Sequence, residues 1–304
     1  MFMYLLLSIV SIYLSLRTYI LLCPKNSPNK YLFNRLKNRR NFIYTQHGNT
    51  SVLFKKSKNK SKKLVLTIHG FGADLDDFKL LENIAINNNY NYLSLDLAGR
   101  GLSDSFLENS SEIFENQILE VLQIYKYKYK ISEINVLGYS MGCIIVNNLI
   151  EKHKINFNSV VLLAPAGLGV KNSGIDIFKI KYLGELLVIL FGDIYLLSHN
   201  LKCYNIKKII PKKFLLYSYN HYGYLKSLLS TIRNMDKDNV NYKSIHEPLV
   251  IYSSDDKVTI MNRKKFNTNC KFIEFKKLGH SELIENSLDY IFGYFIKFNS
   301  KKKL

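Results

Sequence analysis

The chain has 304 residues, 43 Lys and Arg against 24 Asp and Glu, four Cys and no Trp, which gives a formal charge of +19 and a pI near 9.5. With 47% hydrophobic and 22% charged residues, it is too apolar for wholesale disorder and too polar for a multi-span membrane protein, and it is long enough for a large core. The excess charge is concentrated in the flanks: 13 basic and no acidic residues precede Asp74, and Lys301, Lys302 and Lys303 close the chain. The remaining body is only about +3, which argues against a protein built around a nucleic-acid groove.

Residues 2 to 22, FMYLLLSIVSIYLSLRTYILL, match the ~20 apolar residues needed to cross a bilayer core. Arg17 alone interrupts them, close enough to one end for its side chain to reach the interface. An uncleaved anchor over 1–23 is the primary expectation. A cleaved signal peptide is the rival, although no basic region precedes the apolar run and no small-residue cleavage pattern follows it, and an interfacial or merely buried helix is the third reading. Lys25, Lys30, Arg35, Lys37, Arg39 and Arg40 make residues 24–40 a basic juxtamembrane linker. It is suited to anionic lipid headgroups or simply to a solvated, topology-setting role, and it orients the body toward the cytosol. The four cysteines are scattered and include no C-x-x-C, so no zinc site or disulfide framework is expected.

From residue 41 to 298 short apolar runs alternate with segments of helical period, the pattern of an α/β domain with a mostly parallel, eight-stranded sheet covered on both faces. The expected strands are Asn41 to Gln46, Ser51 to Lys55, Lys63 to Ile68, Tyr90 to Leu95, Glu133 to Gly138, Ser159 to Ala164, Pro248 to Ser253 and Lys271 to Lys276. Helices are expected near 75–87, 111–128, 141–153, 259–266 and 281–297. Residues 168 to 245 offer no clear strand and carry apolar helical stretches such as YLGELLVILFGDIYLL, which reads as a helical lid inserted above the sheet. A basic tail occupies 299–304.

Gly138-Tyr139-Ser140-Met141-Gly142 is G-x-S-x-G between an apolar strand and a helix. A nucleophilic Ser there stands on a strained turn, and the glycines let strand and helix pass closely. His69-Gly70-Phe71-Gly72 ends an earlier strand. The N–H groups of Phe71 and Met141 are candidates for an oxyanion hole, and His69 is expected to brace its loop. A nucleophilic Ser requires a base and an acid that fixes the base's tautomer. His280, on the loop after the last strand, is the candidate base. Asp256, at the carboxyl edge of the preceding strand, is the candidate acid, with Asp255 as its rival. His47, His153, His199, His221 and His246 lack such placement.

With the order Ser140, Asp256, His280, the His-Gly turn, and Asp96-Leu97-Ala98-Gly99-Arg100-Gly101-Leu102-Ser103 as a D-x-x-G-x-G-x-S loop, the chain resembles the α/β-hydrolase superfamily over residues 41–298. It is most similar to the membrane-anchored monoacylglycerol lipase and esterase branch. Ser at the nucleophile position departs from the epoxide hydrolases and dehalogenases, which place Asp there. The absence of H-x-x-x-x-D after His280 departs from some acyltransferases. The resemblance implies a cofactor-free serine hydrolase acting on a small-molecule or lipid ester, with membrane lipids as its surroundings. Peptidase, thioesterase or C–C hydrolase chemistry, or a non-catalytic membrane-tethered binding protein, are the alternatives.

Overall fold

The computed structural model describes residues 2–22, 27–106, 108–169, 175–202, 213–235 and 240–301. Residues 23–26, around the start of the expected linker, and 302–304 of the expected basic tail lie outside the described residues. Eight strands, β1 (Asn41–Thr45), β2 (Gly48–Lys55), β3 (Lys63–Ile68), β4 (Asn91–Leu95), β5 (Glu133–Tyr139), β6 (Ser159–Leu163), β7 (Leu249–Ser253) and β8 (Lys271–Phe275), form one sheet in the order 1-2-4-3-5-6-7-8. β1, β2 and β4 pair antiparallel and every other pair is parallel. All eight expected strands are therefore present, with ends shifted by no more than three residues.

Alternation along the strands divides the core in two, because successive side chains point to opposite faces. Leu66, Val136 and Leu162 pack with Phe114 and Ile118 of α4 (Ser111–Tyr129) and Ile145 of α5 (Met141–Glu151). Val65, Leu137 and Val161 pack on the other face with Leu81 of α3 (Lys79–Asn87) and Phe295 of α10 (Leu288–Lys301). Strands buried on both faces cannot alternate apolar and polar residues, hence the Val/Ile/Leu runs in the sequence.

Two helical expectations change. Residues 259–266 form no α-helix, only a 3₁₀ turn at Arg263–Lys265, and the backbone N–H groups of Val258 and Thr259 are turned toward the Asp256 carboxylate. The last helix is divided into α9 (Glu282–Asn286) and α10, with Ser287 between them donating its hydroxyl to the Leu283 carbonyl.

The segment expected as a basic linker is folded onto the domain. Its helix α2 (Lys30–Leu36) buries Leu32 completely. Arg40 pairs with Asp96 and, at 2.6 Å, with Asp76, while Arg39 pairs with Glu82. Arg40 is thus buried among acidic residues of the body instead of facing solvent or lipid, half-exposed Arg39 also pairs with the body, and the domain begins before residue 41.

The insertion between β6 and β7 holds α6 (Leu183–Lys202), α7 (Lys213–Asn220) and α8 (Tyr224–Asn234), and no strand among its described residues. α7 and α8 lie over the loops that follow β3 and β4. The Tyr217 hydroxyl donates to Asp74, Tyr224 to the Gly72 carbonyl, and Arg100 to Thr231 at 2.8 Å. The apolar N-terminal helix α1 (Phe2–Leu22) packs its C-terminal part on α6. Arg17, expected to reach the bilayer interface, is 1% exposed and lies 3.2 Å from Asp193 of α6.

Candidate active site

Ser140 joins β5 to α5 with φ 54° and ψ −116°. A non-glycine residue in this region costs roughly 1–3 kcal/mol and persists only where its surroundings fix it. Here the Ser140 N–H donates to the Leu163 carbonyl at 2.9 Å, and its own carbonyl accepts from Cys143 at 3.0 Å. The two glycines of the motif are explained by space. A Cβ on Gly142 would stand 2.2 Å from the Ile68 carbonyl oxygen, and one on Gly138 would stand 2.8 Å from the Gly142 carbonyl oxygen. Strand and helix cross where only hydrogen fits.

Asp256 and His280 meet on the loops after β7 and β8: His280 Nδ1 donates to Asp256 Oδ2 at 2.6 Å, with both residues 3% exposed. The other Asp256 oxygen accepts from the N–H groups of Val258 at 2.7 Å and Thr259 at 3.1 Å, and the Thr259 hydroxyl donates to Oδ2 at 2.7 Å. Burial alone would raise the Asp256 pKa, but the nearby imidazole and these donors hold it below the ordinary carboxylate value. An ionised Asp256 fixes the proton of His280 on Nδ1 and leaves Nε2 as a lone-pair base. Asp255 faces elsewhere: its carboxylate accepts from the Lys277 N–H at 2.7 Å.

The serine turn and the His280 loop lie side by side in the fold. The ring of Tyr139, the residue before Ser140, lies 5.0 Å from the His280 ring. A Cβ on Gly70 would approach the Ser140 Cβ to 3.1 Å, so the turn that carries Phe71 lies directly against the serine. Met141 opens α5 beside it. His69 braces this turn from inside, its Nδ1 donating to the Gly70 carbonyl at 2.8 Å and its Nε2 accepting from the Leu97 N–H at 3.0 Å.

Four further residues support the site, and sequence reasoning did not single them out. Thr259, which the sequence pattern places on a helix, instead serves the Asp256 carboxylate. Glu282, in the first turn of α9, accepts from the Gly279 N–H at 2.5 Å and so ties down the loop that carries His280. The Ser253 hydroxyl donates to the Leu278 carbonyl at 2.8 Å from the β7 side. Arg100, fully buried, donates to the Phe71 carbonyl at 3.1 Å while its guanidinium lies 5.8 Å from the Phe71 ring. Burial lowers its pKa to about 10. Its position inside the D-x-x-G-R motif was the available signal. Among the other histidines, His221 is fully buried between α7 and α8 and donates from Nε2 to the Ser103 carbonyl. His153 pairs with Glu115.

A model of the alpha/beta hydrolase fold family matches residues 63–180. The chain is 29% identical over 120 residues, 36% of its length, to a probable lysophospholipase, BODYGUARD 2, of Arabidopsis thaliana. It spans only 24% and 39% of the lengths of the curated relatives it matches. Among solved structures it is similar to an esterase from Exiguobacterium antarcticum, at 17% identity and a TM-score of 0.64, and to the epoxide hydrolase CorEH, at 13% and 0.69. Each alignment covers 85% of this chain and 98% of the other.

Proposed function

On the α/β-hydrolase fold that this chain adopts, we propose that it is a serine hydrolase that cleaves carboxylic esters through an acyl-enzyme. The observations that carry this reading are the strained Ser140 turn, whose neighbouring Tyr139 ring lies 5.0 Å from the His280 ring, and the buried His280–Asp256 pair. Ser140 Oγ attacks the ester carbonyl, and His280 Nε2 accepts its proton and then returns it to the departing alkoxide. Ionised Asp256 holds the ring and stabilises the imidazolium that forms. The N–H groups of Phe71 and Met141 receive the oxyanion, an interaction of several kcal/mol in sites of this kind. Water, activated by the same imidazole, releases the acid. Ser140 in place of a carboxylate nucleophile favours this chemistry over epoxide opening.

The substrate is a lipid-like ester such as a monoacylglycerol or lysophospholipid. Support comes from the apolar helical insertion, which acts as a lid over the loops after β3 and β4, from the lysophospholipase relative, and from α1. That helix is 21 residues long, and its stretch Met3–Leu21 has a mean hydropathy of 1.6; it serves as a single-pass anchor with the catalytic domain on the cytosolic side. Labelling by a fluorophosphonate probe tests the reaction. Wild type is expected to be labelled and Ser140→Ala not, and labelling that survives the substitution, or fails in both, removes the proposal. Turnover of monoacylglycerol against lysophospholipid and short p-nitrophenyl esters then identifies the substrate class.

A further inference from the structure

The docking of α1 on the insertion has a consequence for how deep the protein sits. α1 is 21 residues long, about 31 Å at 1.5 Å per residue, which is close to the ~30 Å thickness of a bilayer core. Residues 3–12 are exposed on every side, whereas Tyr13, Leu14, Arg17, Ile20 and Leu21 are wholly or partly buried against the body. The docked stretch, Tyr13 to Leu21, covers about 13 Å of helix axis. If α1 fills the bilayer core from end to end, whatever packs on that stretch lies in the core too.

The packed partner suits that position. α6 turns Gly184, Val188, Gly192 and Leu196, spaced by four, inward. A Cβ on Gly192 would stand 3.0 Å from Arg17 Nη2, so the glycine leaves room for the guanidinium. Asp193 beside it faces Arg17 at 3.2 Å and accepts from the Tyr219 hydroxyl at 2.5 Å and the Tyr13 hydroxyl at 3.4 Å, while the Tyr219 ring lies 5.3 Å from the guanidinium carbon. A charge in hydrocarbon persists when paired and turned inward, as Arg17 is. The outer face of α6 has the opposite character: Leu186, Phe191 and Ile194 are 50%, 50% and 65% exposed. Sixteen of the 24 exposed large hydrophobic residues among those described lie in α1 or between Ile177 and Ile194. A single water-facing monomer rarely concentrates them so strongly.

We propose that the helical insertion is itself membrane-embedded: α6 lies beside the C-terminal part of α1 in the acyl-chain layer of one leaflet, its outer face contacting lipid, with the Arg17–Asp193 pair sealed between the two helices. The proposal rests on reading α1 as a bilayer span. It brings the insertion that covers the candidate active site to the depth of a lipid's acyl chain, so that a substrate enters sideways from the leaflet without crossing water.

The absence of Trp from the sequence makes single-Trp depth measurement direct. Ile9→Trp on α1, where Ile9 is 56% exposed, Phe191→Trp and Ile194→Trp on α6, and Tyr127→Trp on α4, where Tyr127 is 89% exposed, are placed one at a time in the full chain. Each is reconstituted in phosphatidylcholine vesicles with plain or dibrominated acyl chains. The Ile9, Phe191 and Ile194 variants are expected to lose most of their emission to the brominated lipid, and the Tyr127 variant none. Quenching of Ile9→Trp without quenching of either α6 variant overturns the inference and leaves the anchor standing. No quenching of Ile9→Trp overturns both. Shielding of the α6 variants from aqueous iodide that grows with protein concentration, without bromolipid quenching, overturns the inference in favour of a second copy of the chain on that face.

Discussion

The sheet with its serine turn and the insertion with α1 use buried polar groups in opposite ways. In the turn, the polar groups are backbone amides and short side chains packed so closely that Gly142 admits no methyl group. The result is one fixed, strained conformation. Around the insertion, long side chains bridge separate elements: Arg17 of α1 to Asp193 of α6, Arg100 of the loop after β4 to Thr231 of α8, and Tyr217 of α7 to Asp74 of the loop after β3. These are tethers between elements far apart in the sequence. Short-range rigidity suits a site where reacting atoms must be held within a fraction of an ångström. Long-range tethers suit an element that must sit on loops and against another helix at once.

The largest expected effect tests the rigid side. Asp256→Asn keeps the shape but presents the wrong hydrogen-bonding group to His280 Nδ1, and a change of this kind costs about 10⁴-fold in kcat. Steady-state kinetics on a p-nitrophenyl ester should show that loss, while Asp255→Asn stays near wild type. A loss shared by both substitutions would mean that the acid role is not Asp256's alone.

Arg17→Ala tests the tethers. It leaves Asp193 facing a buried gap, and breaking one partner of a buried pair typically costs about 3–5 kcal/mol. The cost should fall on the insertion and not on the sheet. Limited proteolysis is expected to cut near α6 more rapidly, while amide exchange in β3 and β5 stays unchanged.

pH provides a third comparison. Burial lowers the His221 pKa to about 4 from an ordinary value of 6.5, so the folded state keeps it neutral where the unfolded chain would protonate it. The stability this contributes is complete above about 6.5 and is lost as pH falls toward about 4, a span of about 3 kcal/mol. Asp96 works in the opposite direction: burial, with Arg40 opposing and Asp74 adding, pushes its carboxyl up to about 6, which favours the folded state as pH drops. Replacing His221 isolates its share. The drop in thermal midpoint between pH 7 and 4.5 should be smaller in His221→Gln than in wild type.

The smallest expected effect concerns the loop that carries His280. Glu282→Gln weakens a charge-assisted hydrogen bond to the Gly279 amide by about 1.5 kcal/mol, which should lower kcat about tenfold. KM should stay near its original value if Glu282 acts only by holding the His280 loop through Gly279. A change in KM alone would assign Glu282 to binding instead of positioning.

All eight strands and the serine turn were legible because each is announced locally: a strand buried on both faces must be an apolar run, and a crossing this tight must have glycine. The Ser140, His280 and Asp256 candidates followed from their places at strand ends. Asp256 and Asp255 are neighbours with the same chemistry, and only the path of the loop after β7 turns one to His280 and the other to the Lys277 amide. The sequence pattern around Thr259 reads as helical, yet its N–H and hydroxyl donate to a carboxylate three residues earlier. Local propensity cannot foresee such a side-chain competitor.

Charge divides along the same line. The sequence by itself located the excess positive charge ahead of the body and an apolar N-terminal run long enough to cross a bilayer, because both are runs of adjacent residues. It read Arg17, Arg39 and Arg40 as groups bound for water or headgroups. Tertiary structure set all three against Asp193, Glu82, Asp76 and Asp96, residues 36 to 176 positions away. An ion pair depends on distance in space, which a sequence specifies only after it has folded.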